Sequence, residues 1–175
     1  MAASADSEFM EPWRRLDLAA PNEARDLLQS CCGAAAWVDR MMARRPFGSR
    51  EALVDAARDE WFALGRSDWL EAFRHHPKIG DRDSLRQRFA RIAHLSEREQ
   101  AGVDGASEDV LEALAEGNRE YERRFGYIFI VCASGKPADE MLALLRRRMP
   151  NSPEVEIRVA AEEQARITEL RLMKL

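Results

Sequence analysis

Two of the three histidines in this 175-residue chain stand side by side, in "FRHHPKIGD" at 73–81. A proline follows the second, and the residue before a proline is pushed out of the helical region. His76 therefore sits on stiff, extended backbone where a helix ends, with Gly80 nearby to permit a tight turn. An imidazole titrates near neutral pH and serves as a general acid or base when held within hydrogen-bond reach of its partner. A plain surface-loop histidine has the same signature, and the residues alone leave both readings open. His75 falls on the helix end and is expected to face solvent.

"SERE" at 96–99, followed by Gln100, is the second candidate. Ser96 and Glu99 have the spacing of a capping box, in which each side chain bonds the other residue's backbone N–H. Such a helix start also presents free N–H groups to polar or anionic ligands. Gln100 adds an amide that both donates and accepts. Capping and ligand binding are compatible here.

Arg171 is the third candidate. It falls inside a helical stripe of Ile157, Ala160, Ala161, Ile167 and Leu175, spaced at about 100° per residue. A cation on an apolar face needs a partner, because burying it unpaired is costly. A snorkelling side chain at a helix C-terminus satisfies that need. A guanidinium fork on a carboxylate or ureido carbonyl satisfies it equally.

Other chemistries lack their residues. The histidines form no H-x-x-x-H pair and no metal spacing, and neither phosphate-loop glycine pattern nor a G-x-S-x-G elbow occurs. If the chain is an enzyme, cofactor-free acid–base chemistry is what is left.

Composition narrows the class. The length suits one domain spanning 1–175, since single cores hold about 100–200 residues, and residues 1–8 are expected to be a disordered N-terminus. Hydrophobic residues at 46% fill a core, and a net charge of -4 with interspersed signs argues against nucleic-acid binding. No apolar run approaches the ~20 residues of a membrane span. The N-terminus lacks a signal peptide's basic and apolar regions, and "LMKL" is not the peroxisomal S-K-L ending. Three cysteines, Cys31, Cys32 and Cys132, make no disulfide framework. A cytoplasmic location with reduced thiols is the expectation.

Helical periodicity dominates the elements that must position these residues. Ala24, Leu27, Leu28 and Cys31 follow Pro21, and Trp37, Val38, Met41 and Met42 repeat the pattern past Gly33. Ser49 caps a helix bearing Leu53, Ala57, Trp61 and Leu64. A short helix over 67–73 leads into the doubled histidine, and Leu85, Phe89 and Ile92 mark another. A long helix from Ser107 carries Leu111, Leu114, Tyr121 and Phe125 and ends at Gly126. Met141, Leu142, Leu144 and Leu145 mark the next, and Ser152 with Pro153 opens the last. "YIFIVCA" at 127–133 reads as a strand, an extended run or a buried helical segment. The expected fold class is all-α, a compact bundle of about seven to eight helices.

With these residues in place, the chain resembles the 2-oxo-4-hydroxy-4-carboxy-5-ureidoimidazoline (OHCU) decarboxylases of urate degradation. The resemblance runs through "RPF" at 45–47, "HHPKIGD", "LSEREQ", "YERRFGYIFIVCASGK" and "ITELRL". It implies an all-helical homodimer without metal or organic cofactor that converts OHCU to (S)-allantoin. The family's catalytic histidine falls on His76, with Pro77 packing against the substrate ring. Its Ser-x-x-Glu-Gln segment falls on Ser96, Glu97, Arg98, Glu99 and Gln100, with Glu99 as the catalytic partner of His76. Its substrate-contacting apolar segment falls on Phe129, Ile130, Val131, Cys132 and Ala133, and its arginine near the C-terminus on Arg171. The alternatives are an acid–base enzyme acting on another ureido or purine-derived ring, and a non-catalytic helical interaction module.

Overall fold

The structure is a computed structural model that describes residues 10–76, 85 and 108–175. Among the described residues there are eight helices and no strand, as the all-α expectation requires. The chain divides into two compact units, Met1–His75 with Ala161–Leu175, and His76–Ala160.

In the first unit, prolines open the first two helices. Pro12 starts α1 (Pro12–Leu18) and Pro21 starts α2 (Pro21–Cys31), because a fixed φ and a missing N–H cost nothing in a first turn. The sequence reading had not found α1, which is too short to show an apolar period. α3 (Ala35–Arg44) stops where Arg45 turns extended ahead of Pro46. The loop that follows is tied back to the end of α1. Asp17 accepts from the backbone N–H of Phe47 (2.8 Å) and Gly48 (2.9 Å), while Arg45 donates to the carbonyls of Asp17 (3.2 Å) and Ala19 (2.7 Å). α4 (Arg50–Phe62) begins under its expected cap, with Ser49 accepting from Ala52 N–H at 3.1 Å. α5 (Arg66–Arg74) follows, and its N-terminal Gly65 N–H is held by Asp68 at 3.1 Å.

α3 packs against α2, α4 and α5, and α1 against α2 and α4. Leu16, Leu28, Trp37, Met41, Leu53, Trp61 and Phe73 are buried, each contributing about 1.5–3 kcal/mol. The two buried indoles also find acceptors, Trp37 on Ala57 O (3.0 Å) and Trp61 on Ala161 O (2.9 Å), so neither leaves an unpaired donor in the core.

In the second unit, α6 (Glu108–Phe125) ends where Gly126 takes a φ of 80°, the left-handed cap expected there. α7 (Ala138–Arg148) packs along it. Leu85, Leu111, Leu114, Ala115, Met141, Leu142 and Leu145 form the shared core. α8 (Pro153–Leu172) opens with Pro153 as expected, contributing residues 153–160 to this unit and 161–172 to the other. Its buried line differs from the expected stripe. Ile157, Ala160, Ala161, Gln164, Thr168 and Leu172 are buried, whereas Ile167 and Leu175 are half-exposed. Gln164 donates to Thr168 at 3.1 Å, so two polar residues occupy the buried line that a search for apolar residues alone misplaces.

Gly33, between α2 and α3, is a glycine because of what touches it. A Cβ there would lie 2.3 Å from His75 Cγ and 2.5 Å from His75 Cβ. The imidazole that was expected only to face solvent is exposed on one side but rests on the Gly33 backbone. Gly33→Ala should therefore cost about 1–3 kcal/mol by overpacking in urea denaturation. In a His75→Gly background, where the clashing atoms are gone, the same substitution should cost a small part of that. Equal losses in the two backgrounds would show that the contact is not what excludes a side chain at residue 33.

Candidate functional site

Pro77, Ser96, Glu97, Arg98, Glu99 and Gln100 lie outside the described residues. Of the other nominated residues, the structure places His76 and the segment 129–133 in one unit and Arg171 in the other.

His76 is half-buried in a bend directly after α5. The helix has already stopped at His75, whose φ of -80° and ψ of -4° form its C-cap. That agrees with a pre-proline residue being unable to continue a helix. His75, seated on Gly33, fixes the point from which the His76 backbone departs.

Residues 128–133 form neither helix nor strand. The segment nevertheless alternates like extended chain. Ile130 and Cys132 are buried, and Phe129 and Val131 are half-buried against the α6–α7 core. Three of its carbonyls have assigned partners. Ile130 O accepts from Arg148 Nη1 at 2.7 Å, Cys132 O from Lys136 Nζ at 3.0 Å, and Ala133 O from Lys136 N–H at 3.3 Å. None of the hydrogen bonds among the described residues uses the N–H of Phe129, Ile130, Val131 or Ala133. Among the described residues the segment is thus held through three of its carbonyls, while these four N–H groups take no partner. Backbone N–H groups in a shielded place suit carbonyl or anionic oxygens.

Arg148 was not nominated from the sequence, yet it organises this segment. It is 5% exposed and pairs with Glu156, which is 0% exposed. Arg148 Nε lies 2.8 Å and Nη2 2.6 Å from Glu156 Oε1, a two-nitrogen contact. Asn151 Nδ2 donates to Glu156 Oε2 at 2.7 Å, and the Tyr121 hydroxyl donates to Oε1. The guanidinium also stands over the Phe129 ring, 4.6 Å from its centroid. Tyr121 meets that ring edge-on at 5.1 Å. Burial holds the Tyr121 hydroxyl well above its ordinary range; the Arg148 cation opposes this, and the bond to Glu156 adds to it. Tyr121 is therefore a permanent donor to the carboxylate.

A signal for this pair was present. Glu156 lies four residues before Ala160 and eight before Gln164, on the buried line of α8, where a carboxylate needs a cationic partner. Arg148 was hidden in the run Arg146-Arg147-Arg148, whose first two members are exposed.

Arg171 is half-buried, and its Nη1 donates to Cys31 O at 3.1 Å. That carbonyl belongs to the last turn of α2, where carbonyls lack helical partners and the dipole is negative. One guanidinium nitrogen is thereby engaged by backbone. Around it, burial pushes the Cys31 and Cys32 thiols up to about 11. Hydrogen bonds from Ser30 to Cys31, and from the Ala34 backbone and Thr168 to Cys32, work the other way, as does the Arg171 charge.

Among the described residues no group of three His, Cys, Asp or Glu side chains is placed to hold a metal ion, and no helix is long and apolar enough to cross a membrane.

Residues 18–173 match the OHCU decarboxylase family. The chain is 45% identical over 148 residues to the uric acid degradation bifunctional protein TTL of Arabidopsis thaliana, covering 83% of this chain and 45% of that protein. It therefore spans less than half the length of that relative. It is 31% identical over 137 residues to the 2-oxo-4-hydroxy-4-carboxy-5-ureidoimidazoline decarboxylase of Haloferax volcanii, covering 78% of this chain and 79% of that protein. Among solved structures it is similar to an OHCU decarboxylase crystallised in the presence of (S)-allantoin. That chain superposes with a TM-score of 0.70 at 38% identity, with 85% of this chain and 96% of that chain covered.

The two thiols allow a direct check. A rise from 9.0 to about 11 lowers the thiolate fraction at pH 8 roughly a hundredfold, and the thiolate is the nucleophile. Cys31 and Cys32 in the native protein should alkylate with iodoacetamide far more slowly than in urea. Because the folded state favours the protonated thiols, their contribution to stability is complete below pH 9 and declines as pH rises toward 11. Rapid native alkylation at pH 8, mapped by mass spectrometry, would contradict this.

Proposed function

Because this chain belongs to the OHCU decarboxylase family, we propose that it decarboxylates 2-oxo-4-hydroxy-4-carboxy-5-ureidoimidazoline to (S)-allantoin in urate degradation. The observation that carries the reading is the family match over residues 18–173.

The substrate supplies most of the driving force. Its carboxylate is on a carbon next to a C=N bond, so the electron pair released as the C–C bond breaks and CO2 leaves can flow into the ring. The ring nitrogen takes up a proton to give an enol, whose hydroxyl then loses its proton to become a C=O while the neighbouring ureido-bearing carbon, formerly part of the C=N bond, gains one. Free substrate follows this path unaided and gives both hands of the product. The enzyme's task is speed and facial selectivity, for which acid–base side chains and fixed dipoles suffice without a cofactor.

In this reading His76 and Glu99 handle the protons, orienting the substrate hydroxyl and delivering the proton to one ring face. Pro77 packs on the ring, and Ser96, Glu97, Arg98 and Gln100 line the same site. The N–H groups of the 129–133 segment hold ureido and ring oxygens. Support for that last role comes from the carbonyls of Ile130, Cys132 and Ala133, which are engaged, and from the N–H groups of Phe129, Ile130, Val131 and Ala133, which take no partner among the described residues. The side chains of Ile130, Cys132 and Ala133 are buried, so their contribution is through backbone. Arg171 faces an anionic or carbonyl oxygen with the nitrogens not given to Cys31. Under the same proposal the protein works in the cytoplasm as a homodimer, and 1–175 acts as one functional domain.

The test uses OHCU generated freshly from urate, with product chirality followed by circular dichroism. The protein should accelerate the appearance of (S)-allantoin above the spontaneous racemic background. His76→Ala should lower kcat/KM by about 10²–10⁴-fold, the range for loss of a general acid or base, while the helical spectrum stays unchanged. No acceleration by the unaltered protein would refute the decarboxylase reading. Full activity in His76→Ala would remove this histidine from the mechanism.

A further inference from the structure

The 129–133 segment raises a question that its own residues do not answer. Among the described residues it pairs with no strand and makes no helical hydrogen bonds, yet amides that hold a substrate must be fixed to within a fraction of an ångström. Lys136 secures the far end, through the carbonyls of Cys132 and Ala133. In the middle, the side chain that grips the segment is Arg148. Its Nη1 binds Ile130 O at 2.7 Å, and its guanidinium covers the Phe129 ring at 4.6 Å.

Arg148 can do this because its other nitrogens are fixed. Nε and Nη2 are both engaged by Glu156 Oε1, and that carboxylate is itself held by Tyr121 and Asn151. A planar fork carrying donors in fixed directions transmits this placement to Ile130, which a flexible ammonium would not do. The pair is almost completely removed from solvent, and an apolar pair of the same volume would often be equally stable. Stability alone therefore does not account for a charged pair at this place.

We propose that Arg148, oriented by Glu156, is a positioning residue for the substrate-contacting backbone of residues 129–133. The proposal rests on the decarboxylase reading above and adds to it a determinant of substrate affinity and product handedness. Arg148 touches no substrate; it acts through the Ile130 carbonyl and the Phe129 ring.

The experiment compares Arg148→Lys with Leu53→Ala. Lysine retains a cation for Glu156 but cannot serve the carboxylate and Ile130 O at once. Alanine opens a cavity at a fully buried position of the other unit and leaves every bond of Arg148 in place. Steady-state kinetics on fresh OHCU, the enantiomeric excess of allantoin and Tm are measured for each. Arg148→Lys should lower kcat/KM roughly 10- to 100-fold, as expected for losing one charge-assisted hydrogen bond. Most of the loss should appear in KM, and the enantiomeric excess should fall. Leu53→Ala should lower Tm with kcat/KM within about twofold of the unaltered protein.

If Arg148→Lys does not fold, the neutral pair Arg148→Gln with Glu156→Gln avoids a lone buried charge and should show the same rise in KM. Unchanged KM and enantiomeric excess in either folded Arg148 variant would overturn the proposal. So would a Leu53→Ala protein that loses affinity as far as Arg148→Lys does. An unaltered protein without stereoselective activity would instead overturn the functional reading on which this one stands.

Discussion

A guanidinium and a carboxylate taken out of water together are expensive unless nearly every donor and acceptor finds a partner. In this protein Arg148 and Glu156 meet that condition through Tyr121, Asn151 and the Ile130 carbonyl. The arrangement solves a backbone problem as well. An apolar segment packed against the α6–α7 core, with no strand neighbour among the described residues, would otherwise bury the Ile130 carbonyl unpaired, at about 1–3 kcal/mol. One arginine supplies a donor and a flat face to that segment, and three residues from α6, the α7–α8 turn and α8 hold the arginine. Removing either charge alone would leave the other stranded, at about 3–5 kcal/mol. The segment's geometry and the unit's stability therefore depend on the same pair.

The first unit uses a second device, centred on the short turn Cys31-Cys32-Gly33. Arg171 reads the carbonyl end of α2 at Cys31, and His75 lies on the bare backbone of Gly33. The turn is buried and its thiols are kept protonated. It fixes one face of Arg171 and the last residue before His76. The two residues with the strongest candidacy for polar chemistry in the described chain are thus each one step from a rigid backbone element. Neither depends on a long flexible loop for its starting point.

Much of this was legible in the sequence because the helices are punctuated by residues with single meanings. Pro21, Ser49, Gly126 and Pro153 mark ends that agree with the structure, and the all-α class follows from them. His76 was separable from His75 because only one of them precedes a proline. What escaped was long-range and polar. α1 is too short to show a period, and its role depends on Asp17 reaching residues 47 and 48. Arg148 stands in a run of three arginines and Glu156 in the first turn of α8, positions at which charged residues are ordinarily solvated. Their partnership spans α7 and α8 and has no local signature. The run 127–133 has an apolar, β-branched composition that suits several backbones, and in the structure residues 128–133 are neither helix nor strand. The expected line through Ile167 failed for a related reason: Gln164 and Thr168 bury each other's polar atoms.

The central claim is that one buried arginine holds the backbone of residues 129–133 in place, and 15N relaxation reads that backbone directly. Order parameters of residues 127–134 should fall in Arg148→Lys from the rigid range of about 0.85 toward the flexible range below about 0.6, while those of α6 and α7 stay as they are in the unaltered protein. If the order parameters of the segment are the same in both proteins, or fall only in step with the helices around it, Arg148 stabilises the unit without positioning the segment, and the account is wrong at its centre.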